Sequence, residues 1–128
     1  MGTQYLMDSN VVIDYLSGKL PVAGMAFISG LVDDTPKISL VTKIEVLGFR
    51  TSAEAEKLLT DFTDDCLVLP ITEAVSDKTI ELRKSYKIKL PDALIAATAL
   101  VYGFTLVSRN ISDFEKVEGL EYVDAHTV

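Results

Sequence analysis

Cysteine and histidine are almost absent from this sequence, which has one residue of each type among 128. The single Cys66 excludes an internal disulfide framework, and one cysteine with one histidine cannot supply the ligands of a structural zinc site. Cys66 opens an apolar segment over residues 66–69 that resembles a buried strand. We therefore expect Cys66 to be a small core residue, because free cysteine usually packs as a small apolar side chain.

Long apolar runs are also missing. No run reaches the ~18 residues that a membrane-spanning helix needs, and no basic and apolar signal segment opens the chain. These absences predict a cytoplasmic protein without a membrane partner. With 48% apolar residues and neither internal repeats nor a linker, residues 1–128 are predicted to form a single domain.

Positive charge is scarce, since 12 Lys and Arg residues face 19 Asp and Glu residues for a net charge of −7. This balance weakens a nucleic-acid-binding interpretation and suits a basic protein partner, because phosphate contacts normally come from Lys and Arg. Basic residues nevertheless gather at Arg83, Lys84, Lys87 and Lys89, just before Asp92. This group is either a phosphate-binding patch or the solvated end of a helix.

Apolar segments with strand and helix patterns alternate along the chain. Strands are predicted over residues 4–7, 37–40, 66–69 and 104–107, with a possible edge strand over residues 120–123. A helix that begins at Pro91 and ends before Gly103 is apolar on nearly all sides, which predicts a buried central helix. The alternation predicts an α/β fold in which helices cover both faces of a mainly parallel sheet of four to five strands.

Four acidic residues stand where a strand gives way to a helix or loop, or in the first turns of a helix: Asp8, Glu45, Asp92 and Asp113. Because an open α/β sheet gathers the carboxyl ends of its strands at one edge, these carboxylates can converge on one pocket. Clustered carboxylates require a compensating cation, and oxygen ligands favour Mg²⁺ or Mn²⁺. Metal-dependent phosphodiester chemistry is the leading interpretation.

Each acid also has a structural explanation. Asp92 can interact with the dipole of its helix, and Asp8 can cap the helix that follows it. Glu45 stands three residues after Thr42, the spacing of a capping box. Asp113 can belong to a polar turn in which it or Ser112 caps a short helix.

Three motifs and Glu45 together resemble a PIN domain, and their order and spacing are most similar to the VapC toxins of toxin–antitoxin pairs. The motifs are MDSNVVI at residues 7–13, LPDALIAATA at residues 90–99 and LVSRNISDF at residues 106–114. The resemblance extends from about Tyr5 to Val123. Two positions depart from the family pattern, because Ser9 and Ser108 stand where the family usually has threonine; both keep a hydroxyl group.

The resemblance implies a PIN-like three-layer α/β/α sandwich and an endoribonuclease that depends on Mg²⁺ or Mn²⁺. It implies catalytic and metal-binding carboxylates at Asp8, Glu45, Asp92 and Asp113, although Asn110 can share the role of Asp113. It also implies an RNA substrate, a small VapB-like antitoxin whose tail covers the site, and a homodimer. Supporting hydrogen bonds are expected from Ser9, Asn10, Ser108 and Asn110, and RNA contacts from Arg83, Lys84, Lys87, Lys89 and Arg109.

Two other functions compete with the nuclease. The same fold can serve as a non-catalytic interaction module, which would not bind divalent ions. An aspartate-dependent phosphatase is partly matched by the segment that begins at Asp8, but that pattern needs a second aspartate where Asn10 stands. Asp14 lies six residues after Asp8 and points away from it on a regular helix, where it either supports the site or is solvated.

Overall fold

The computed structural model describes residues 2–128, in which helices and strands alternate as the sequence predicts. The elements in chain order are β1 (Tyr5–Met7), α1 (Ser9–Leu16), α2 (Val22–Asp33), β2 (Lys37–Ser39), α3 (Leu40–Leu47), α4 (Ala53–Asp65), β3 (Leu67–Leu69), α5 (Glu73–Ser85), α6 (Leu90–Tyr102), β4 (Thr105–Val107), α7 (Ile111–Phe114) and β5 (Tyr122–Val123). Across residues 2–128, none of the helices has the length and apolar character needed to cross a lipid bilayer.

All strand pairs are parallel, but the strands form two groups instead of one sheet of four to five strands. Strands β1, β4 and β5 are hydrogen bonded in the order β1-β4-β5, and β2 pairs with β3. Strand β2 packs beside β1 without a ladder in the described residues. Strands of two or three residues make few ladder bonds, so the twist between neighbouring strands is enough to interrupt pairing. The predicted strand count was therefore too high for a single sheet.

Helices cover both faces of these strands. Leu6 and Leu106, which are paired in register, pack into a core cluster with α5 and α6. The next pair, Met7 and Val107, packs into a second cluster with α1, α2, α3 and α4. Successive strand residues point to opposite faces, so this alternation confirms the three-layer α/β/α arrangement.

Helix α6 closely follows the predicted boundaries. It begins at Leu90 with Pro91 as its second residue, one position earlier than predicted. It ends at Tyr102, and the C-cap residue Gly103 has a φ of 73°, the left-handed conformation that glycine adopts most easily. Ala93, Ile95 and the residues over 96–99 are buried, so the prediction of a buried central helix is confirmed.

The capping box predicted for Thr42 and Glu45 is wrong. Ser39 has the extended conformation of an N-cap residue, and its Oγ accepts a hydrogen bond from the Thr42 backbone N–H at 3.0 Å. Helix α3 therefore begins at Leu40, Thr42 lies inside its first turn, and Glu45 lies too far along the helix to reach the cap. The structural explanation for Glu45 is lost, while its exposed carboxylate remains to be explained.

Cys66 lies at the end of α4, before β3, and is only half-buried against the second core cluster. Burial raises the pKa of its thiol to about 12, and the charge of Asp65 acts in the same direction. The thiol therefore stays protonated at neutral pH. The predicted role of Cys66 as a packing residue is compatible with this environment, although the strand begins one residue later than predicted, at Leu67.

Candidate active site

Asp8 occupies the junction between β1 and α1 and is 5% exposed. Its Oδ1 accepts a hydrogen bond from the Ser9 backbone N–H at 2.8 Å, and its Oδ2 accepts one from Ser108 Oγ at 2.7 Å. Burial raises the pKa of Asp8 to about 6; the two hydrogen bonds oppose this increase, whereas the charges of Asp92 and Glu45 add to it. A buried carboxylate with a raised pKa beside other carboxylates is typical of a functional site.

Asp92 is the third residue of α6 and is half-buried. Its pKa is raised by burial and by the negative charges of Asp113 and Glu45, while Lys89 and Lys116 act in the opposite direction. The negative charges of Asp92 and Glu45 likewise raise the pKa of Asp8. Carboxylates from four separate elements therefore interact electrostatically.

Glu45 is connected to the first motif through Ser9. The Ser9 hydroxyl donates a hydrogen bond to Glu45 Oε1 at 2.5 Å, and the Thr42 hydroxyl lies 3.3 Å from the same Ser9 oxygen. Ser9 is adjacent to Asp8 and its backbone N–H already binds the Asp8 carboxylate. Ser9 thus joins two of the four acids, one at the start of α1 and the other on α3.

The loop that follows β4 joins Asp8 to Asp113. Ser108 is fully buried, and its Oγ also accepts a hydrogen bond from the Asn110 backbone N–H at 3.0 Å. The side-chain amide of Asn110 donates a hydrogen bond to Asp113 Oδ2. Asp113 lies inside α7, which begins at Ile111, so neither Asp113 nor Ser112 is the N-cap of this helix.

Asn10 holds the same loop from α1. Its Oδ1 accepts a hydrogen bond from the Arg109 backbone N–H at 3.2 Å. The four polar residues Ser9, Asn10, Ser108 and Asn110 all bond to a candidate acid or to the loop that carries one.

The donor set fits a hard divalent cation in chemistry, because the acids provide only oxygen ligands and share a repulsion that a cation would relieve. In the described residues, however, no three Asp, Glu, His or Cys side chains converge closely enough to ligate one ion. Glu45 and Asp113 point their carboxylates at the donors of Ser9 and Asn110. In this arrangement one oxygen of each of these two acids is bonded within the protein.

A cleft of about 300 Å³ opens beside the acids and is lined by Arg83, Lys87 and Lys89 together with Asp92 and Asp113. Three of the predicted RNA contacts thus lie next to two of the predicted catalytic residues. The Arg83 guanidinium also donates a hydrogen bond to the Ile88 carbonyl oxygen at 2.7 Å, which stabilises the turn before α6.

Two other basic residues, Lys84 and Lys116, are not among the residues that line this cleft. Lys84 lines a neighbouring groove on α5 and not the cleft of Asp92. Lys116, which the sequence analysis did not single out, lies near enough to lower the pKa of Asp92 and donates a hydrogen bond to the Lys87 carbonyl oxygen at 2.6 Å.

Asp14 is neither solvated nor part of the acid group. It is 5% exposed, and its Oδ2 accepts a hydrogen bond from Arg109 Nη1 at 2.9 Å and lies 3.2 Å from His126 Nε2. The burial of Asp14 was predictable in part, because Asp14 follows Val11 by three residues and therefore shares the inward face of α1. Its partners, Arg109 and His126, could not be predicted from the sequence, since they lie 95 and 112 residues away.

A family model described as PIN domain matches residues 5–120, which is most of the chain. The chain belongs to the PIN-domain family. A protein named Ribonuclease VapC10 from Mycobacterium tuberculosis is 32% identical over 124 residues, covering 91% of this chain and 90% of that protein. The resemblance to PIN domains of the VapC type is thereby confirmed.

Solved structures agree with the PIN fold of this chain. A toxin–antitoxin complex from Klebsiella pneumoniae matches with a TM-score of 0.77 and 27% identity, covering 98% of this chain and 100% of that chain. A DNA-bound VapBC from Salmonella typhimurium matches with a TM-score of 0.80 and 23% identity, covering 97% and 99% of the two chains. The second of these matches, at 23% identity, supports the fold alone.

Proposed function

We propose that this PIN-domain protein is a VapC-type endoribonuclease that hydrolyses RNA phosphodiester bonds with Mg²⁺ or Mn²⁺. The observation that carries the proposal is the group of carboxylates from β1–α1, α3, α6 and α7, in which burial and mutual repulsion raise the pKa of Asp8 and Asp92. The relationship to Ribonuclease VapC10 over 91% of the chain supports RNA as the substrate.

Asp8 and Asp92 are proposed to bind the metal directly, because they are the two acids whose pKa burial raises. Glu45 and Asp113 complete the site after leaving Ser9 and Asn110, with Asn110 as an alternative oxygen ligand beside Asp113. A bound divalent ion would supply Lewis acidity and make hydroxide available near neutral pH.

The remaining polar residues hold and orient this group. Ser108 and the Ser9 backbone N–H fix the two oxygens of Asp8, so that its carboxylate keeps one orientation. Asn10 fixes the loop after β4 through Arg109 N–H. Arg83, Lys87 and Lys89 on the cleft would neutralise RNA phosphates close to Asp92.

The test is cleavage of a total-RNA pool by purified protein with Mg²⁺ or Mn²⁺, compared with EDTA and with Asp8→Asn and Asp92→Asn. Discrete products that need the metal and vanish in both variants are expected. Asp61→Asn is the matched control, since Asp61 is an exposed acid paired with Lys57 on α4. Wild-type cleavage by either Asp8→Asn or Asp92→Asn would refute the site assignment, and absence of both cleavage and metal binding would favour an interaction module.

We further infer that the acid group binds a basic segment of a VapB-like antitoxin. The net charge of −7 and the candidate acids favour a positively charged partner segment. The Klebsiella pneumoniae relative is itself a toxin–antitoxin complex. A short arginine-containing peptide should inhibit RNA cleavage, and the same peptide with glutamine in place of arginine should not; equal inhibition by both would contradict a charge-driven contact.

A homodimer is proposed as well. Exposed apolar side chains on α3 and α5, including Ile44, Leu47 and Ile80, provide surface for a partner chain. Light scattering should give twice the mass of one chain at micromolar concentration, and the mass of a single chain would overturn this proposal.

A further inference from the structure

The ion pair of Asp14 with Arg109 lies outside the acid group but bonds to the loop that organises it. Asp14 is on the buried side of α1, whereas Arg109 follows β4, and the Arg109 Nη1 to Asp14 Oδ2 distance is 2.9 Å. His126, in the segment after β5, places Nε2 3.2 Å from the same oxygen. One carboxylate oxygen therefore joins three separate parts of the chain.

Arg109 stands between the two residues that hold the acids of this loop. On its amino side, Ser108 donates a hydrogen bond to Asp8. On its carboxyl side, Asn110 donates one to Asp113. Fixing the side chain and backbone of Arg109 thus fixes both neighbours, and Asn10 contributes the backbone contact.

We propose that Asp14 is a positioning residue of the active site, which acts through Arg109 to hold the loop of residues 108–110 and thereby the carboxylates of Asp8 and Asp113. The proposal rests on the proposed metal-dependent function for its catalytic consequence. It also gives Arg109 a role other than the RNA contact predicted from the sequence, because its guanidinium is bonded to a buried acid.

The segment after β5 completes this arrangement. Ala125 is 1% exposed, and its carbonyl oxygen packs so closely on Gly24 of α2 that a Cβ at Gly24 would lie 2.1 Å from it. The Asp124 side chain accepts a hydrogen bond from the His126 backbone N–H at 2.8 Å. These contacts seat His126 against Asp14. Residues 124–126 lie beyond residue 120, where the match to the family model ends.

The chemistry of Asp14 explains why the contact needs a carboxylate. A buried anion is stable only with hydrogen-bonded or charged partners, and Arg109 and His126 supply them. An asparagine at this position still accepts one hydrogen bond but loses the attraction to the guanidinium. The Arg109 side chain is 55% exposed, so water can solvate its charge when Asp14 is removed, and the fold should survive.

The experiment compares Asp14→Asn, Arg109→Gln and the double variant with Asp61→Asn, which removes a charge from an exposed ion pair on α4. Amide hydrogen exchange of residues 108–113 is measured on the metal-free protein, and Mn²⁺ affinity is measured by calorimetry well below the unfolding temperature. Asp14→Asn should accelerate exchange in the loop and weaken Mn²⁺ binding by on the order of 10-fold, a typical cost for loss of a supporting contact. The double variant should be no weaker than Asp14→Asn alone.

Kinetics separate positioning from other roles. Asp14→Asn should lower kcat for RNA cleavage and leave KM unchanged, whereas an RNA phosphate contact by Arg109 would raise KM in Arg109→Gln only. Wild-type exchange and Mn²⁺ affinity in Asp14→Asn, with a lower unfolding temperature alone, would overturn the proposal and leave Asp14 a purely structural residue. If the wild-type protein neither binds Mn²⁺ nor cleaves RNA, the proposed function fails, and loop exchange in the metal-free variants still decides whether Asp14 positions the loop.

Discussion

A buried carboxylate surrounded by other carboxylates destabilises the metal-free protein once it ionises. The pKa of Asp8 is raised from 3.8 to about 6, chiefly by burial. The folded protein therefore holds this proton more tightly than the unfolded chain does, so stability falls as pH rises from about 4 to about 6. The difference between the two pKa values corresponds to roughly 3 kcal/mol at neutral pH.

Asp8→Asn removes that ionisation, and its metal-free form should be more stable than wild type at pH 7. The advantage should be small at pH 4, where Asp8 is protonated, and should increase by roughly 3 kcal/mol by pH 7. Urea denaturation in EDTA at several pH values measures it. Addition of Mg²⁺ or Mn²⁺ should reduce the advantage by stabilising wild type, and an advantage independent of pH would contradict the raised pKa of Asp8.

Ser108→Ala should weaken both the fold and the site. The variant loses a hydrogen bond to the Asp8 carboxylate at 2.7 Å and the acceptor of the Asn110 backbone N–H. Since bonds to charged groups contribute about 1.5–3 kcal/mol, the unfolding free energy should fall by that amount near pH 7. RNA cleavage should fall about 10- to 100-fold.

Ser112→Ala is the control for this change, because Ser112 is an exposed serine four residues along the same motif. Its stability and cleavage should match those of wild type. A similar loss in both serine variants would mean that the motif is generally sensitive to substitution and that the bond from Ser108 to Asp8 has no special role.

The positions of three of the four acids follow from element boundaries in the sequence, whereas the contacts of Asp14 could not be predicted. Asp8, Asp92 and Asp113 each stand at a boundary that apolar patterns, Pro91 or the end of a strand mark in the sequence. For Asp14, the sequence indicates only that the residue falls on the inward face of α1. Its partner His126 comes from a segment without any periodic pattern, and no local property of either residue encodes a contact across 112 positions.

At the level of elements, the packing of α2 against the segment after β5 requires a glycine at position 24. A Cβ at Gly24 would lie 2.1 Å from the Ala125 carbonyl oxygen, which cannot be accommodated without movement of the backbone. Gly24→Ala should therefore destabilise the protein by about 1–3 kcal/mol. Urea denaturation provides the measurement.

Gly30 of the same helix is a matched control, because nothing lies within 4 Å of a Cβ placed there. Gly30→Ala should raise stability by about 0.5–1 kcal/mol, since alanine restricts the unfolded chain and favours a helix more than glycine does. Equal effects of the two substitutions would show that the close approach of Ala125 to Gly24 does not contribute to stability.

Elements were predictable where local chemistry sets their ends, and less so where neighbouring elements compete. Gly103 fixes the end of α6, and the alternation of Leu6 with Met7 fixes which face of β1 meets each helical layer. Thr42 and Glu45 have the spacing of a capping box, but Ser39 at the end of β2 occupies the N-cap position first. The break between β1 and β2 has no sequence signal, because it depends on how two short strands diverge in space.

For the whole molecule, the net charge of −7 opposes RNA binding, while the cleft beside Asp92 carries local positive charge. Binding that depends on phosphate contacts weakens with salt, and for single strands the slope of log affinity against log salt concentration is about −0.7 per contact. Lys87→Gln with Lys89→Gln should reduce the steepness of this slope by about 1.4 if both lysines contact phosphate.

The control is Lys19→Gln with Lys57→Gln, two exposed lysines away from this cleft. Both double variants remove two positive charges and so shift the net charge by the same amount. RNA affinity is measured with Asp92→Asn as the background, so that the substrate stays intact, over a series of salt concentrations. A shallower slope only in the Lys87 and Lys89 variant would locate the RNA at the cleft. Equal slopes in the two variants would mean that RNA affinity depends only on the total charge of the protein. The proposal that RNA contacts Lys87 and Lys89 would then be wrong.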